Sequence, residues 1–364
     1  MSARKEGALG PRGVLLTGVL LAAAAMLVVT IGLAIMARDS GWDARYAYLG
    51  AADAVLDGRS PYPDADEPLL DDDKAYVYPP QVAIAFLPLA RVPVDVAAAV
   101  AALVAVLAVL ASIAVVGVRD WRCYVAALVW APVWNAIDIA NISGVLTLLV
   151  AVAWRYRATL WPFASALGLA ISMKLFLWPL LFWAALVRGV RATLLAIAVG
   201  GAVTLAAWAA IGFAGLKQYP DLVARLADVQ AARSYSLVGV ADAFGLSTAV
   251  GRAASLVVGV ASLLACIRFG RDGDERRSFT CAIAAAIILS PIVWQHYLAL
   301  LIVPVALARP RLSVLWLVPI VLWVIPREPQ TEAYERFVPL LVAALLVGAL
   351  LARPRPSRLA TELV

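Results

Sequence analysis

Residues 94–117 read VDVAAAVAALVAVLAVLASIAVVG, and this stretch decides the class of fold. It contains one charged residue, Asp95, which lies next to its start. A helix rises 1.5 Å per residue, so about 20 consecutive apolar residues are enough to cross the hydrocarbon core of a bilayer. The stretch therefore predicts a membrane-spanning helix.

Similar apolar runs recur along the whole chain. Several are shorter than about 20 residues, so we expect some spans to be tilted, broken or partly re-entrant. Together they predict an all-α integral membrane protein, a polytopic helical bundle with about 10–13 spans. The runs are 13–36, 94–117, 122–138, 142–154, 160–172, 174–187, 190–212, 249–267, 278–293, 296–308, 312–325 and 337–352.

The overall composition agrees with a chain whose solvent is lipid. Of the 364 residues, 64% are hydrophobic and 15% are charged, whereas a soluble domain is roughly half apolar and about a quarter charged. The net charge of +6 does not indicate nucleic-acid binding, because the basic residues form short groups between apolar runs. The three cysteines do not suggest a disulfide framework, and a single histidine excludes a His-based zinc site.

The distribution of charge predicts the orientation of the chain in a cell membrane. Arg4, Lys5 and Arg12 precede the run 13–36, which is too long for a signal peptide and is interpreted as a retained first helix. If both termini are cytoplasmic, most Lys and Arg residues lie on the cytoplasmic side of the membrane. This is the orientation that the positive-inside rule favours. The sequence 1–364 is then one transmembrane domain, with extracytoplasmic loops at 37–79 and 213–248 and a cytoplasmic tail at 353–364.

The loop 37–79 contains the first candidate for chemistry. Its apolar residues recur at helical spacing and predict an amphipathic helix on the outer interface, ended by Gly58. Asp43 lies at the start of that helix, where the helix N-terminus stabilises a carboxylate. Two readings remain open, a solvated helix-starting acid and a catalytic carboxylate. The residues that define the helix are Trp42, Tyr46, Leu49, Ala52 and Leu56.

The same loop contains an acidic cluster and an aromatic segment. The acids 71–73 resemble a metal-binding cluster, but an exposed acidic loop is the favoured interpretation, and we predict no metal site. Tyr76 and Tyr78 precede Pro79 and Pro80 in a stiff segment that returns to the membrane. Their rings either stack on a sugar or anchor the loop.

Two ionisable residues lie within otherwise apolar sequence. Lys174 in LAISMKLFLWP stands at an outer turn, and a charge at membrane depth is either functional or extends to the interface. His296 in LSPIVWQHYLAL stands at another outer turn, where a lone His is often a hydrogen-bonding residue. Asp43, Lys174 and His296 all fall on the outer side, which favours a shared site. Asn141 begins a glycosylation sequon that lies too close to the membrane to be used.

The order of these motifs resembles glycosyltransferase family 87, in the GT-C superfamily. The resemblance runs from about residue 40 to about residue 310. Some segments depart from the pattern of many relatives, at 140–143, Tyr235 and Tyr297. The residues that carry the resemblance are Asp43 in WDARYAY, Gly58, Pro61-Tyr62, Tyr76-Val77-Tyr78-Pro79-Pro80, Lys174 in ISMKLFLWPLL, Ser236-Leu237 and Ser290-Pro291 with Trp294-Gln295-His296.

This resemblance implies a GT-C-like fold and an enzyme that uses a polyprenyl-phosphate sugar on the outer face of the membrane. Family members are chiefly mannosyltransferases, with some arabinofuranosyltransferases. The resemblance implies that Asp43 is the catalytic base, and that Lys174 and His296 face the donor phosphate. We add four further candidates for substrate binding, which are Arg45, Tyr76, Tyr78 and Trp294.

The sequence therefore predicts an inverting transfer of a sugar, with mannose expected, to a hydroxyl of an envelope glycan or glycolipid. Such a transfer needs one carboxylate as base and cations beside the leaving phosphate, whereas a glycosidase needs a second carboxylate. The expected partners are membrane lipid, the lipid-linked donor and the acceptor, without nucleic acid or cofactor, and a divalent metal is left open. The alternatives are a transporter or flippase for a polyprenyl-linked or small molecule and a non-catalytic scaffold subunit.

Overall fold

The computed structural model describes residues 11–37, 40–63, 74–326 and 332–352. The acids 71–73 and the tail 353–364 lie outside these residues. Within them all regular structure is helical and there is no β-strand, so the predicted all-α membrane fold is confirmed. The α-helices are α1 (Pro11–Ala37), α2 (Leu49–Leu56), α3 (Pro80–Phe86), α4 (Val94–Val115), α5 (Trp121–Val129), α6 (Ala131–Asp138), α7 (Ser143–Arg155), α8 (Leu160–Met173), α9 (Leu180–Ala210), α10 (Tyr219–Gln230), α11 (Leu237–Ala243), α12 (Thr248–Arg271), α13 (Glu275–Leu289), α14 (Ile302–Ala308), α15 (Val314–Leu317) and α16 (Ala333–Leu351). Residues Asp43–Tyr48 form a π-helix, and 3₁₀ segments lie at Leu87–Leu89, Leu175–Leu177, Gln295–Leu301 and Val318–Val324.

Four of the described helices are long and apolar enough to cross a membrane, namely α4, α9, α12 and α16. They leave large apolar side chains exposed, as Leu103 and Leu107 on α4 and Leu256 and Leu264 on α12 illustrate. Lipid is the solvent in which such faces are stable. Several of the other apolar segments form shorter helices of 10–17 residues, as their short runs predict, among them Ser143–Arg155 and Leu160–Met173.

Helix α9 is broken at Gly189, whose φ of 79° lies outside the helical range. The break separates 180–188 from 190–210 and so agrees with the two predicted runs 174–187 and 190–212. Glycine takes this conformation without the steric penalty of a Cβ atom. Arg188 and Arg191 flank the break, which places positive charge at this turn.

The predicted run 122–138 divides into α5 and α6 and is one of the broken runs that the short lengths predict. Trp130 between them has an extended backbone, with φ −59° and ψ 125°. Pro132 lacks an N–H, and its ring would clash with the carbonyl of Leu128 in an unbroken helix. The chain therefore starts a new helix, which ends beside the site described below.

The predicted helix at 42–56 is present, and its buried face agrees with the predicted one only in part. Leu49 and Ala52 are buried as predicted, whereas Tyr46 and Leu56 are exposed. Ala44, Tyr48 and Ala51 are buried as well, although they were not predicted to be. The π-helix Asp43–Tyr48 adds a residue to the turn and shifts the side chains around the axis, so a 3.6-residue period does not describe the whole segment.

The end of the bundle near Asp120 is held by an ion pair and hydrogen bonds between distant segments. Arg122 pairs with Asp120 at 2.8 Å and also donates to Thr17 of α1. The backbone N–H of Leu312 donates to the same carboxylate at 2.9 Å. The hydrogen bonds from Arg122 lower the pKa of the Asp120 carboxyl, so the pair stays ionised at neutral pH.

Helices α8 and α9 approach closely through two glycines. A Cβ atom on Gly168 would meet the carbonyl of Ala196 and lie 2.9 Å from the backbone nitrogen of Gly200. A Cβ atom on Gly200 would lie 2.8 Å from the carbonyl oxygen of Gly168. Small residues at such a crossing let helices pack in a bilayer by van der Waals contact.

Gly168→Ala should therefore destabilise the fold, because the added methyl meets backbone atoms that cannot rotate away. We expect the melting temperature in detergent to fall by roughly 5 °C. Gly201→Ala is the matched control, since a Cβ atom there has nothing within 4 Å and alanine favours a helix. Equal melting temperatures for the two variants would contradict the close crossing.

Candidate functional site

A cavity of about 390 Å³ lies where the ends of several helices meet the segments 42–47 and 75–79. Five of the seven predicted site residues line it, from four separate parts of the chain: Asp43, Tyr78, Lys174, Trp294 and His296. The other described lining residues are Trp42, Ala47, Ala75, Val77, Pro79, Asn135, Ile139, Met173, Leu175, Phe176, Tyr219, Val223, Leu226, Gln230, Ser290, Pro291, Ile292 and Tyr297.

Asp43 is the first residue of the π-helix, and it is docked on the turn that joins α6 to α7. Its backbone N–H donates to the carbonyl of Ile139 at 3.0 Å, and that of Gly41 donates to the carbonyl of Asp138. The carboxylate oxygen Oδ2 accepts hydrogen bonds from Asn141 at 2.5 Å and from the hydroxyl of Tyr48 at 3.4 Å. The carboxylate is thus partly buried and held by donors at the edge of the cavity.

Lys174 carries a buried ammonium group that faces the same cavity. Its backbone is extended between α8 and the 3₁₀ segment, because Pro179 cannot continue a helix through Leu175. The nitrogen lies 4.2 Å from the ring centroid of Tyr297 and 5.1 Å from that of Tyr78, and it interacts electrostatically with Asp43. Among the described residues it has no hydrogen-bond partner. A buried ammonium without a hydrogen-bond acceptor binds an anion favourably, because the anion supplies both the acceptor and the opposite charge.

His296 lies in the 3₁₀ segment 295–301 with 4% of its surface exposed. Its Nδ1 atom is 3.1 Å from Oδ1 of Asn135, and because an amide oxygen accepts, Nδ1 carries the hydrogen in this contact. The Nε2 atom has no hydrogen-bond partner in the described part of the chain. The contact of Nδ1 with Asn135 therefore orients the imidazole ring, and Nε2 faces the cavity, where it can contact a ligand.

Arg45 and Tyr76 do not line the cavity, unlike the other predicted site residues. Arg45 forms an ion pair with Asp95 at 2.7 Å and donates to the carbonyl of Ser40. The hydroxyl of Tyr76 donates to the carbonyl of Pro79 at 2.6 Å and accepts from the N–H of Ala83 at 2.8 Å. Their predicted contact with substrate stays a prediction, and their placement favours support of the 40–45 and 76–83 segments.

Several site residues were not predicted from the sequence. Asn135 and Asn141 carry no charge and lie in or beside an apolar run, so neither stood out, although Asn141 was noticed as part of a sequon. The cavity wall formed by α10 was also missed, yet its residues recur at intervals of four, three and four, which is one face of a helix. These residues are Tyr219, Val223, Leu226 and Gln230.

The donors of the cavity suit an anion better than a cation. No group of three or more His, Cys, Asp or Glu residues in the described ranges is arranged to hold a metal ion. Asp43 is the one carboxylate among the described lining residues, and it interacts with the Lys174 ammonium in a cavity that the His296 imidazole also lines. The chemistry available is proton abstraction by one carboxylate beside two nitrogen groups that bind negative charge.

The helices and the cavity together define a multi-pass membrane enzyme. The family model of glycosyltransferase family 87 matches residues 76–294, which is more than half of the chain. The chain belongs to this family and is a glycosyltransferase. The match contains Tyr78, Asn141 and Lys174, whereas Asp43 and His296 lie outside it.

The chain is similar to a protein of Mycobacterium tuberculosis, the polyprenol-phosphate-mannose-dependent alpha-(1-2)-phosphatidylinositol mannoside mannosyltransferase. The two are 26% identical over 262 residues, which are 61% of this chain and 59% of that protein. The chain thus spans about three-fifths of the length of this curated relative. No solved structure matches the chain.

Tyr76→Phe should lower stability without changing the use of the donor. The phenylalanine would leave the carbonyl of Pro79 and the N–H of Ala83 without this partner, at about 1–3 kcal/mol. We expect a lower melting temperature and an unchanged KM for the lipid-linked sugar. Tyr46→Phe is the control, because that ring is 49% exposed and lies outside the cavity wall. A raised KM with an unchanged melting temperature would contradict this interpretation.

Proposed function

We propose that the chain transfers a sugar, with mannose as the expected one, from a polyprenyl-phosphate donor to a hydroxyl of an envelope glycan or glycolipid. The observation that carries the proposal is that one cavity contains the Asp43 carboxylate and the Lys174 ammonium. The named relative depends on polyprenol-phosphate-mannose and acts on a phosphatidylinositol mannoside, which supports a lipid-linked donor and a glycolipid acceptor.

The donor phosphate fits the nitrogen side of the cavity. A phosphate oxygen at Lys174 would give the buried ammonium the hydrogen-bonded counterion that it lacks among the described residues. His296 is assigned to the same phosphate. Burial and the Lys174 ammonium favour the neutral imidazole while the cavity holds no anion, and a bound phosphate would favour the protonated ring, whose Nε2 atom then donates a hydrogen bond to it. Charge develops on this phosphate as it leaves, so fixed cations stabilise the transition state more than the ground state.

The acceptor is activated on the carboxylate side of the cavity. Asp43 takes the proton of the acceptor hydroxyl, and that oxygen forms a bond to C1 of the sugar as the bond from C1 to the phosphate oxygen breaks. The electron pair of the broken bond leaves with the polyprenyl phosphate. A single displacement of this kind inverts the configuration at C1. A second carboxylate, which a retaining glycosidase requires, is not part of this step.

The aromatic side chains of the cavity are assigned to the sugar. Tyr78, Trp294 and Tyr297 line it, and Tyr297 stacks on Phe176 with ring centroids 4.7 Å apart. Aromatic faces next to polar groups suit a ring that has both C–H and hydroxyl edges. Neighbouring apolar residues such as Leu175, which is 71% exposed, are suited to the lipid tail.

The proposed side of the reaction is the extracytoplasmic face. Helix α7 has the site turn at its start and Arg155 at its end, and α8 leads from near Arg157 to Lys174. A helix of about 14 residues is about 21 Å long, so the arginines and the cavity lie at opposite ends of these helices. The positive-inside rule puts the arginines in the cytoplasm and supports an outward-facing cavity.

The assay that tests the function uses purified protein with labelled polyprenyl-phosphate-mannose, polyprenyl-phosphate-arabinofuranose and envelope glycolipid acceptors. Formation of a glycosylated lipid from the mannose donor is the expected result. Labelled product from the arabinofuranose donor alone would show that the transferred sugar is arabinofuranose. The proposed lipid-phosphate donor and glycolipid acceptor would then stand unchanged. Flux of the donor across proteoliposomes without any transfer would instead support the flippase alternative.

Asp43→Asn should reduce kcat by about 10²–10⁴-fold, because the amide cannot accept the acceptor proton and a general base contributes that much to the rate. We expect expression and melting temperature close to those of the unmodified protein. Asp53→Asn is the matched control, since Asp53 is exposed on the adjoining α2 and lies outside the cavity. Full transfer by Asp43→Asn would remove Asp43 from the base role.

Lys174→Met should weaken the use of the donor while keeping the volume of the side chain. We expect kcat/KM for the donor to fall by about 10²-fold or more, as for the loss of one group that stabilises developing charge. Lys217→Met is the control, because Lys217 is an exposed residue in the second predicted loop. Unchanged kinetics for Lys174→Met would exclude Lys174 from the phosphate site.

A further inference from the structure

The side chain amide of Asn141 lies at the centre of the hydrogen bonds around Asp43. Its Nδ2 atom is 2.5 Å from Oδ2 of Asp43, 3.1 Å from the hydroxyl of Tyr48 and 3.0 Å from the hydroxyl of Tyr78. Asn141 is 1% exposed, and 98 residues separate it from Asp43 in sequence. A buried neutral amide is thus used to hold a carboxylate and two phenols.

The orientation of this amide is fixed from its other side. Oδ1 of Asn141 accepts from the backbone N–H of Ser143 at 2.9 Å and from its hydroxyl at 2.7 Å. A backbone N–H can only donate, so the atom facing Ser143 is the oxygen and the NH₂ group faces the carboxylate. The amide therefore has one orientation in which its donors point at Asp43.

The backbone of the same turn reinforces this arrangement. Ala140 has a φ of 55°, and the N–H of Asn141 donates to the carbonyl of Ala136, so the chain reverses at the end of α6. That reversal exposes the carbonyls of Asp138 and Ile139, which accept from Gly41 and Asp43. One turn thus fixes both the backbone and the carboxylate of the residue to which we assign the base role.

Asn141 also connects the two sides of the cavity. The hydroxyl of Tyr78 contacts its Nδ2 atom, and the ammonium of Lys174 lies over the ring of Tyr78. Asn141 therefore contacts both the carboxylate and the ring beside the proposed phosphate group, while the Lys174 ammonium itself does not depend on this amide. Oδ2 of Asp43 also accepts from the hydroxyl of Tyr48, at the longer distance of 3.4 Å.

We propose that Asn141 is the positioning residue for the base: it holds the Asp43 carboxylate towards the acceptor hydroxyl and stabilises its ionised form. This inference rests on the proposed function, in which Asp43 abstracts the acceptor proton. A hydrogen bond donated to a carboxylate favours ionisation, so its loss moves protonation of the base to higher pH. A base that is free to rotate also loses the alignment on which proton transfer depends.

The experiment compares the pH–rate profiles, kinetic constants and melting temperatures of three variants in the lipid-linked sugar assay. Asn141→Ala should lower kcat by about 10²-fold with the donor KM changed less than about threefold. In the pH profile of Asn141→Ala, the acid limb, where kcat/KM rises with pH, should move to higher pH by about one unit. Ser143→Ala keeps the amide and one of its two anchors, so it should give a smaller shift in the same direction.

Thr147→Val is the matched control on the same helix. The Thr147 hydroxyl is buried and donates to the carbonyl of Ser143, but it lies outside the cavity wall. A residue with only a structural role should change the melting temperature and the yield and leave the acid limb in place, and this is the result expected for Thr147→Val. If Asn141→Ala does not fold, the shift in Ser143→Ala relative to Thr147→Val decides the question.

The outcomes separate the two proposals. An unshifted acid limb in the folded Asn141 and Ser143 variants, with Asp43→Asn inactive, overturns the positioning role and leaves the function intact. Full transfer by Asp43→Asn overturns the base assignment and the positioning role with it. A shifted limb in Asn141→Ala and an unshifted one in Thr147→Val support the inference.

Discussion

The structure of the site depends on the docking of residues 41–43 on the turn 138–142. Two backbone hydrogen bonds and the amide of Asn141 join these segments. Asp43 follows the first helix, whereas the turn lies between α6 and α7, so the contact brings an early loop onto the centre of the bundle. Without it, the carboxylate would be one solvated acid at a helix start, and the cavity would have nitrogen groups but no base.

The second constraint is the burial of charge beside lipid. An isolated ammonium in an apolar environment is unfavourable by several kcal/mol, and a nearby carboxylate offsets part of this. Lys174 has that carboxylate in Asp43 and two aromatic rings, but no hydrogen-bonding counterion among the described residues. The helices are broken at Lys174 and at Gly189. These breaks let charged side chains lie between the apolar segments on either side. In the proposed function, a bound donor phosphate supplies the anion that pairs with this ammonium.

The sequence predicted the helices and the gathering of Asp43, Lys174 and His296, because apolar run lengths and charge asymmetry determine which turns share one side of the membrane. It missed Asn141 and Asn135, since a neutral amide gives no charge signal and the partners of these two residues lie 98 and 161 residues away in sequence. Arg45, a predicted substrate-binding residue, forms an ion pair with Asp95 and lies outside the cavity wall, so its contact with substrate stays a prediction. Side-chain direction after a π-turn cannot be read from a 3.6-residue period.

The most direct measurement is an experimental structure of the protein with polyprenyl phosphate, the product of the proposed transfer. The account predicts the phosphate in the cavity, with its oxygens within about 3.2 Å of Nζ of Lys174 and Nε2 of His296. The Asp43 carboxylate should lie across the cavity from it and remain bonded to Asn141. A phosphate bound instead at the arginine end of α8, with the cavity empty, would contradict the account.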